Sequence, residues 1–186
     1  ARRPDRVPEG ISYQTIPVYA ESPIGRLSVL LDRRRLDARF RRLYRDTIID
    51  AGAPALGELL RLVAEPAALP LAFHCTGGKD RTGVAAALLL HLCGVDRKTI
   101  IADYTLTNLA TERALATLDE VLRSMGPRLG IRVNQLYPLM SARPALIEEA
   151  FAHIEATYGS VGAYLRGPAG LMDKEIEAIR AALLVA

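Results

Sequence analysis

The sequence predicts an α/β architecture, a parallel sheet flanked by helices. Three observations carry that prediction. Leu69–Cys75 (LPLAFHC) is a short apolar run that opens into a glycine-rich turn and then a helical stretch. Ser12–Val18 is a second short run, mixing β-branched and aromatic residues. Most of the remaining chain carries apolar residues at helical spacing, so strand and helix alternate along it. Two strands cannot make a stable parallel sheet for six or seven helices. Either further strands precede Ala1 in a longer parent protein or the strand count is short, and the first is favoured.

The opening ARRPDRVPEG reads as a loop leading into the Ser12–Val18 strand. Leu36, Phe40 and Leu43 then share one face of an arginine-rich helix. Leu56, Leu59, Leu60 and Val63 mark a second helix, with Pro54 well placed in its first turn. Leu69–Cys75, being apolar throughout, is expected as a central strand buried on both faces. A third helix starts near Thr82, runs through an alanine and leucine stretch to Cys93, and stops at Gly94. Asp96 suits the cap of a fourth, and Leu115, Leu118, Leu122 and Met125 form the stripe of a fifth. Gly126–Tyr137 reads as a loop. Pro144–Tyr158 is a helix closed by Gly159, and Asp173 is expected to cap a last one carrying Ile176, Ile179 and Leu183.

Half of the 186 residues are apolar and 24% are charged, an ordinary composition for a soluble globular chain of one domain. The longest apolar stretch, Val84–Leu90, is far short of a bilayer span, and no signal peptide is legible. Two cysteines make no disulfide framework, which favours a reducing cytoplasm. The net charge is only +3, yet seven arginines fall within Arg33–Arg45. That segment either draws anionic partners, flanking a site or touching a membrane surface, or is a solvated helix face whose acidic neighbours lie elsewhere in the fold. No motif points to nucleic acid.

The chemistry concentrates in His74-Cys75-Thr76-Gly77-Gly78-Lys79-Asp80-Arg81-Thr82-Gly83. A strand, a glycine-rich turn and a helix start make an anion site, because free backbone N–H groups and the helix dipole converge there. Glycines let successive amides of the loop turn inward. Five residues separate Cys75 from Arg81, which puts a sulfur beneath the amides and a guanidinium at their rim. The amides that bind phosphate also stabilise a thiolate. Arg81 can grip two phosphate oxygens at once. Thr82 is placed to hydrogen-bond the sulfur, and His74 to hold the loop from beneath. Taken singly, each of these residues has a purely structural reading; the order in which they occur argues against it.

This loop carries H-C-x5-R-[ST] and so resembles the protein tyrosine phosphatase superfamily. More narrowly, it is similar to the bacterial tyrosine and phosphoinositide phosphatases whose loop reads HCxxGKDRTG. Val95–Asn108 (VDRKTIIADYTLTN) and Tyr158–Leu184 are similar to that branch as well, so the resemblance covers most of the chain from Ile11 onward. It implies a single tyrosine-phosphatase-like domain over 1–186 that lacks the N-terminal strands and the DLR-type segment of the branch. It also implies a two-step reaction through a phosphocysteine on Cys75. In that reaction Thr76, Gly77, Gly78, Lys79, Arg81 and Gly83 bind the phosphate, and no cofactor or metal takes part. His74, His91 and His153 are too scattered to suggest a metal cluster.

The chain has no tryptophan, so the WPD loop that carries the general acid in larger tyrosine phosphatases has no counterpart here. Asp80 either transfers the proton, as the resemblance suggests, or pairs with basic neighbours and shapes the loop; Glu21 is an outside candidate. Lys79 either adds a positive charge that favours highly anionic substrates such as phosphoinositides or pairs with Asp80. Cys93 lies about a dozen helical residues away, at roughly 1.5 Å each, too far for a disulfide with Cys75, and its apolar neighbours suggest a core residue. The expected function is hydrolysis of phosphotyrosine, with phosphoserine, phosphothreonine and phosphoinositides as further substrates. A phosphate-binding module with impaired chemistry and another cysteine enzyme, such as a sulfurtransferase, are the alternatives.

Overall fold

Alanine- and leucine-rich stretches wind into helices, and helices supply all the regular structure among the residues that the computed structural model describes, 6–18, 33–124 and 140–184. Helix α1 (Arg33–Arg42) runs directly into a π-helical segment, Leu43–Asp50. The wider turn closes with the Ala51 N–H donating to the Asp46 carbonyl at 3.1 Å, five residues back. Helix α2 (Ala53–Ala64) follows with Pro54 in its first turn, then a single 3-10 turn over Pro66–Ala68. The others are α3 (Asp80–Leu92), α4 (Arg97–Thr105), α5 (Thr107–Ser124), α6 (Pro144–Tyr158), α7 (Val161–Arg166) and α8 (Asp173–Leu183).

Local chemistry sets several boundaries. The Asp96 carboxylate accepts from the Thr99 N–H at 3.1 Å and caps α4 as expected. Ser160 caps α7 by accepting from the Ala163 N–H at 3.0 Å, and Gly159, at φ 81°, ends α6. The start of α8 differs from expectation. Met172 occupies the cap position, its N–H donating to the Glu175 carboxylate at 2.7 Å. Asp173 is instead the first helical residue, paired with Arg166 at 2.6 Å.

Helix α3 is the hub, packed against α2, α4, α6, α8 and the π-helical segment. A helix covered on so many sides needs apolar residues around most of its circumference, and Val84, Ala85, Ala87, Leu88, Leu89 and Leu92 are all buried. Tyr44, Ile48 and Ile49 reach it from the π-helical segment, and Phe151 and Ile154 belong to the same core. Arg41 and Arg45 of the arginine-rich segment both pair with Glu149 of α6. For these two, the acidic neighbours do lie elsewhere in the fold.

The expected parallel sheet is absent among the described residues, and the α/β assignment is corrected accordingly. Residues 12–18 and 69–75 are extended, but a strand exists only through ladder hydrogen bonds to a neighbour, and among the described residues neither segment is paired in a ladder. Residues 69–75 are also not buried on both faces. Leu71, Phe73 and Cys75 turn partly inward while Ala72 and His74 are exposed. That alternation is the pleat of a strand with one covered face, and its apolar composition misled the two-faced reading. Glu21, Met125 and the expected loop Gly126–Tyr137 lie outside the described residues. Among the described residues no helix is long and apolar enough to cross a membrane.

Candidate active site

Leu71 and Phe73 pack on the core, and the alternation they set brings Cys75 in half-buried at the end of the extended segment. The chain then turns through residues 76–79. Gly78 takes φ 61°, a conformation that side chains with a Cβ avoid, and nothing stands within 4 Å of where its Cβ would be. Helix α3 begins at Asp80, with the Gly83 N–H donating to the Lys79 carbonyl at 2.8 Å. The loop is therefore wrapped around the N-terminal end of the molecule's central helix.

Thr82 ties the two ends of the loop together. Its hydroxyl oxygen accepts from the Cys75 N–H at 2.9 Å, and the hydroxyl also hydrogen-bonds the Cys75 sulfur. Burial pushes the thiol up. The Thr82 hydroxyl and the backbone N–H groups of Thr82, Gly77 and Lys79 pull it down further, leaving it at about 7 against an ordinary 9.0. Thr76, Gly77 and Gly78 are exposed at the rim, and Arg81 is half-buried in the first turn of α3. His74 lies on the exposed side, its Nδ1 3.2 Å from the Cys75 carbonyl.

Lys79 turns away from the rim. Its side chain is buried, with Nζ donating to the Ser141 carbonyl at 3.4 Å and standing 3.5 Å from Asp80 Oδ1. The amine lies 5.2 Å from the centre of the Phe40 ring. Burial lowers its pKa, and the Asp80 carboxylate works against that. Asp80 Oδ1 also accepts from the Tyr44 hydroxyl at 2.7 Å, and Tyr44 and Tyr104 share a hydrogen bond of 2.6 Å. The Tyr104 ring leaves no room beside Gly83, where an added Cβ would lie 2.6 Å from ring carbon Cδ2.

A nucleophilic sulfur inside a ring of amide donors suits attack on a tetrahedral anion, and sequence comparison points the same way. A sequence model of the tyrosine phosphatase family matches residues 1–185. The chain belongs to the tyrosine phosphatase family. It is 32% identical over 137 residues to the triple specificity protein phosphatase PtpB of Mycobacterium tuberculosis, a match covering 70% of this chain and 49% of that protein. A putative tyrosine-protein phosphatase of Cupriavidus necator is 38% identical over 96 residues, covering 52% of this chain and 34% of the relative. A tyrosine-protein phosphatase of Nostoc commune is 54% identical over 35 residues, 19% of this chain and 12% of the relative. The chain thus spans about half the length, or less, of the curated relatives it matches.

In this tyrosine phosphatase family member the loop brings Cys75, Lys79, Asp80 and Thr82 together as their spacing suggested. It also carries companions that the sequence reading missed: Phe40, Tyr44 and Tyr104 beneath the loop, and the Ser141 carbonyl beside Lys79. Asn108 pins that last stretch by exchanging hydrogen bonds with Ala142, at 3.0 and 2.7 Å. One signal was available. Tyr44 lies four residues beyond Phe40, near the apolar face of an amphipathic helix, and a tyrosine buried there needs a partner for its hydroxyl. Cys93, expected in the core, is only half-buried, and burial pushes its thiol above the ordinary 9.0.

Proposed function

We propose that this chain is a phosphatase that hydrolyses phosphotyrosine through a phosphocysteine on Cys75. The single observation that carries the reading is the Cys75 sulfur, held by the Thr82 hydroxyl and three backbone N–H groups and lowered to about 7. At neutral pH about half of such a thiol is thiolate, the attacking form. In the first step sulfur attacks phosphorus, the S–P bond forms and the P–O bond to the leaving group breaks. Asp80 donates a proton to the departing oxygen. Loop amides and Arg81 hold the equatorial oxygens, where stabilisation matters most in phosphoryl transfer. In the second step water attacks phosphorus, its proton passes to Asp80, and the sulfur leaves as a thiolate eased by Thr82. Loss of a positioned acid typically costs roughly 10²–10⁴-fold.

Other phosphoesters belong to the same proposal. PtpB is described as a triple specificity protein phosphatase, which supports trying phosphoserine, phosphothreonine and phosphoinositide substrates beside phosphotyrosine. Lys79 would favour highly anionic substrates only through its field, since its amine is turned beneath the loop.

The test is hydrolysis of a phosphotyrosine peptide by the chain and by its Cys75→Ser variant, with a chelator present. Turnover is expected from the chain alone, with kcat/KM rising as pH increases through about 7, where the Cys75 thiolate forms. Undiminished turnover by the serine variant would overturn the mechanism. Absence of turnover from both, with retained phosphate binding, would leave a binding module.

A further inference from the structure

Three groups from three parts of the chain meet beneath the loop. Tyr44 comes from the π-helical segment, Tyr104 from α4, and Asp80 from the first turn of α3. The two tyrosines are buried, at 0% and 3% exposure, while the Asp80 side chain remains 27% exposed. Tyr44 donates to Asp80 Oδ1, so the proton in the Tyr44–Tyr104 bond must come from Tyr104, and the chain runs Tyr104 to Tyr44 to Asp80. We infer that Tyr44 and Tyr104 are positioning residues: they fix Asp80 through Oδ1 so that Oδ2 is the oxygen that carries the proton to the leaving group.

Three arguments support the inference. Two phenols and a carboxyl in line form a buried polar network, and such a network is stable only when each member is satisfied. A hydrogen bond of 2.7 Å to one oxygen also fixes the plane of the carboxyl, and orientation of a reacting group is worth large factors in rate. Burial pushes both phenols well above their ordinary range, and the nearby Asp80 carboxylate raises both. Both hydroxyls therefore keep their protons across the working pH range and remain donors. The packing is specific as well: Gly83, with no Cβ, is what admits the Tyr104 ring against α3.

Charged groups surround the network. Asp80 has Lys79 at 3.5 Å and Arg81 beside it in the chain. Arg143, at the start of α6, acts on both Lys79 and Tyr104, and the Cys75 thiolate acts on Lys79.

The inference rests on the reading of Asp80 as the acid, and the experiment separates the two. Tyr44→Phe, Tyr104→Phe and Asp80→Asn are compared with the parent chain on a phosphotyrosine peptide and on an aryl phosphate whose phenol is strongly acidic and leaves without a proton. Thermal melting confirms that each variant is folded. Tyr44→Phe should lower kcat on the peptide about tenfold and leave the acidic aryl phosphate within about twofold. Tyr104→Phe keeps the ring against Gly83 and should shift the same readouts by less; it carries the test should Tyr44→Phe fail to fold. Equal losses on both substrates, while Asp80→Asn is selectively slow on the peptide, would overturn the inference and leave the acid in place. An Asp80→Asn variant that treats both substrates like the parent would overturn both.

Discussion

The two ends of α3 each carry a cysteine, and the pair separates two effects that usually act together. Cys75 precedes the helix and Cys93 follows it, and both are half-buried. Burial pushes both thiols up. At the leading end four hydrogen bonds, one from a hydroxyl and three from amides, bring the thiol down to about 7. At the trailing end the donors go to carbonyls instead. Gly94 and Val95 bond the carbonyls of His91 and Leu90, and Arg180 Nε bonds that of Leu92 at 2.9 Å. There the Arg180 charge pulls the Cys93 thiol down by less than burial raises it. Helix polarity runs the same way, since the amide end favours an anion and the carbonyl end does not. A reactive cysteine is thus made by the donors aimed at it and not by its burial.

The largest expected effect comes from the glycines that bound these ends. Gly83→Ala would place a Cβ 2.6 Å from the buried Tyr104 ring, and something must shift. Overpacking of this kind costs about 1–3 kcal/mol, and here it would also displace α4 from the loop. At the other end Gly94 has φ 79° and nothing within 4 Å of an added Cβ. Gly94→Ala should cost only the backbone strain, about 1 kcal/mol, and leave turnover unchanged. Denaturant midpoints and kcat for both variants decide it. Equal costs at the two ends would mean that Tyr104 yields freely, weakening its place in the network with Tyr44 and Asp80.

The cysteines themselves give the next effect. At pH 7 about half of Cys75 should be thiolate, whereas Cys93, raised above 9.0, should be so to about 1% or less. A more basic thiolate is intrinsically more nucleophilic, which returns part of that difference. Iodoacetamide should therefore label Cys75 at least about fivefold faster, read by mass spectrometry of the peptides. Comparable rates would show that the loop amides do not act on the sulfur.

Much of this site was legible in the sequence because its chemistry is local. Cys75, Gly78, Asp80 and Thr82 lie within one turn of loop and one turn of helix, so spacing alone implied their meeting. The helices over 53–64 and 144–158 were legible for the same reason, as were the Asp96 cap and the Gly159 stop. What was not legible depends on contacts between distant segments. Tyr44 and Tyr104 are sixty residues apart, and nothing in RLYR or ADYT names the partner. The strand reading of 69–75 failed for a related reason. Its extended, alternating backbone is written locally, but a sheet needs a second chain segment alongside it, and composition cannot supply one. The π-helical turn at Leu43–Asp50 leaves no mark in a pattern read at the ordinary helical period.

The smallest effect is the most informative about the leading end of α3. Thr82→Val keeps the shape of the side chain and removes only the hydroxyl, which accepts from the Cys75 N–H at 2.9 Å and bonds the sulfur. The backbone donors from Gly77, Lys79 and Thr82 itself remain. Losing a donor to the charged form disfavours the thiolate, so the Cys75 pKa should rise from about 7, yet stay below the ordinary 9.0 because the amides persist. A shift of roughly one unit is the scale of one charge-assisted hydrogen bond. The acid limb of kcat/KM and the midpoint of Cys75 alkylation should move up together, since both report the same thiolate. The plateau at high pH should fall too, because the second step expels a sulfur that the hydroxyl no longer stabilises. A midpoint that stays at about 7 would assign the whole depression to the amides, and the contrast with Cys93 would then reduce to which end of the helix each cysteine faces.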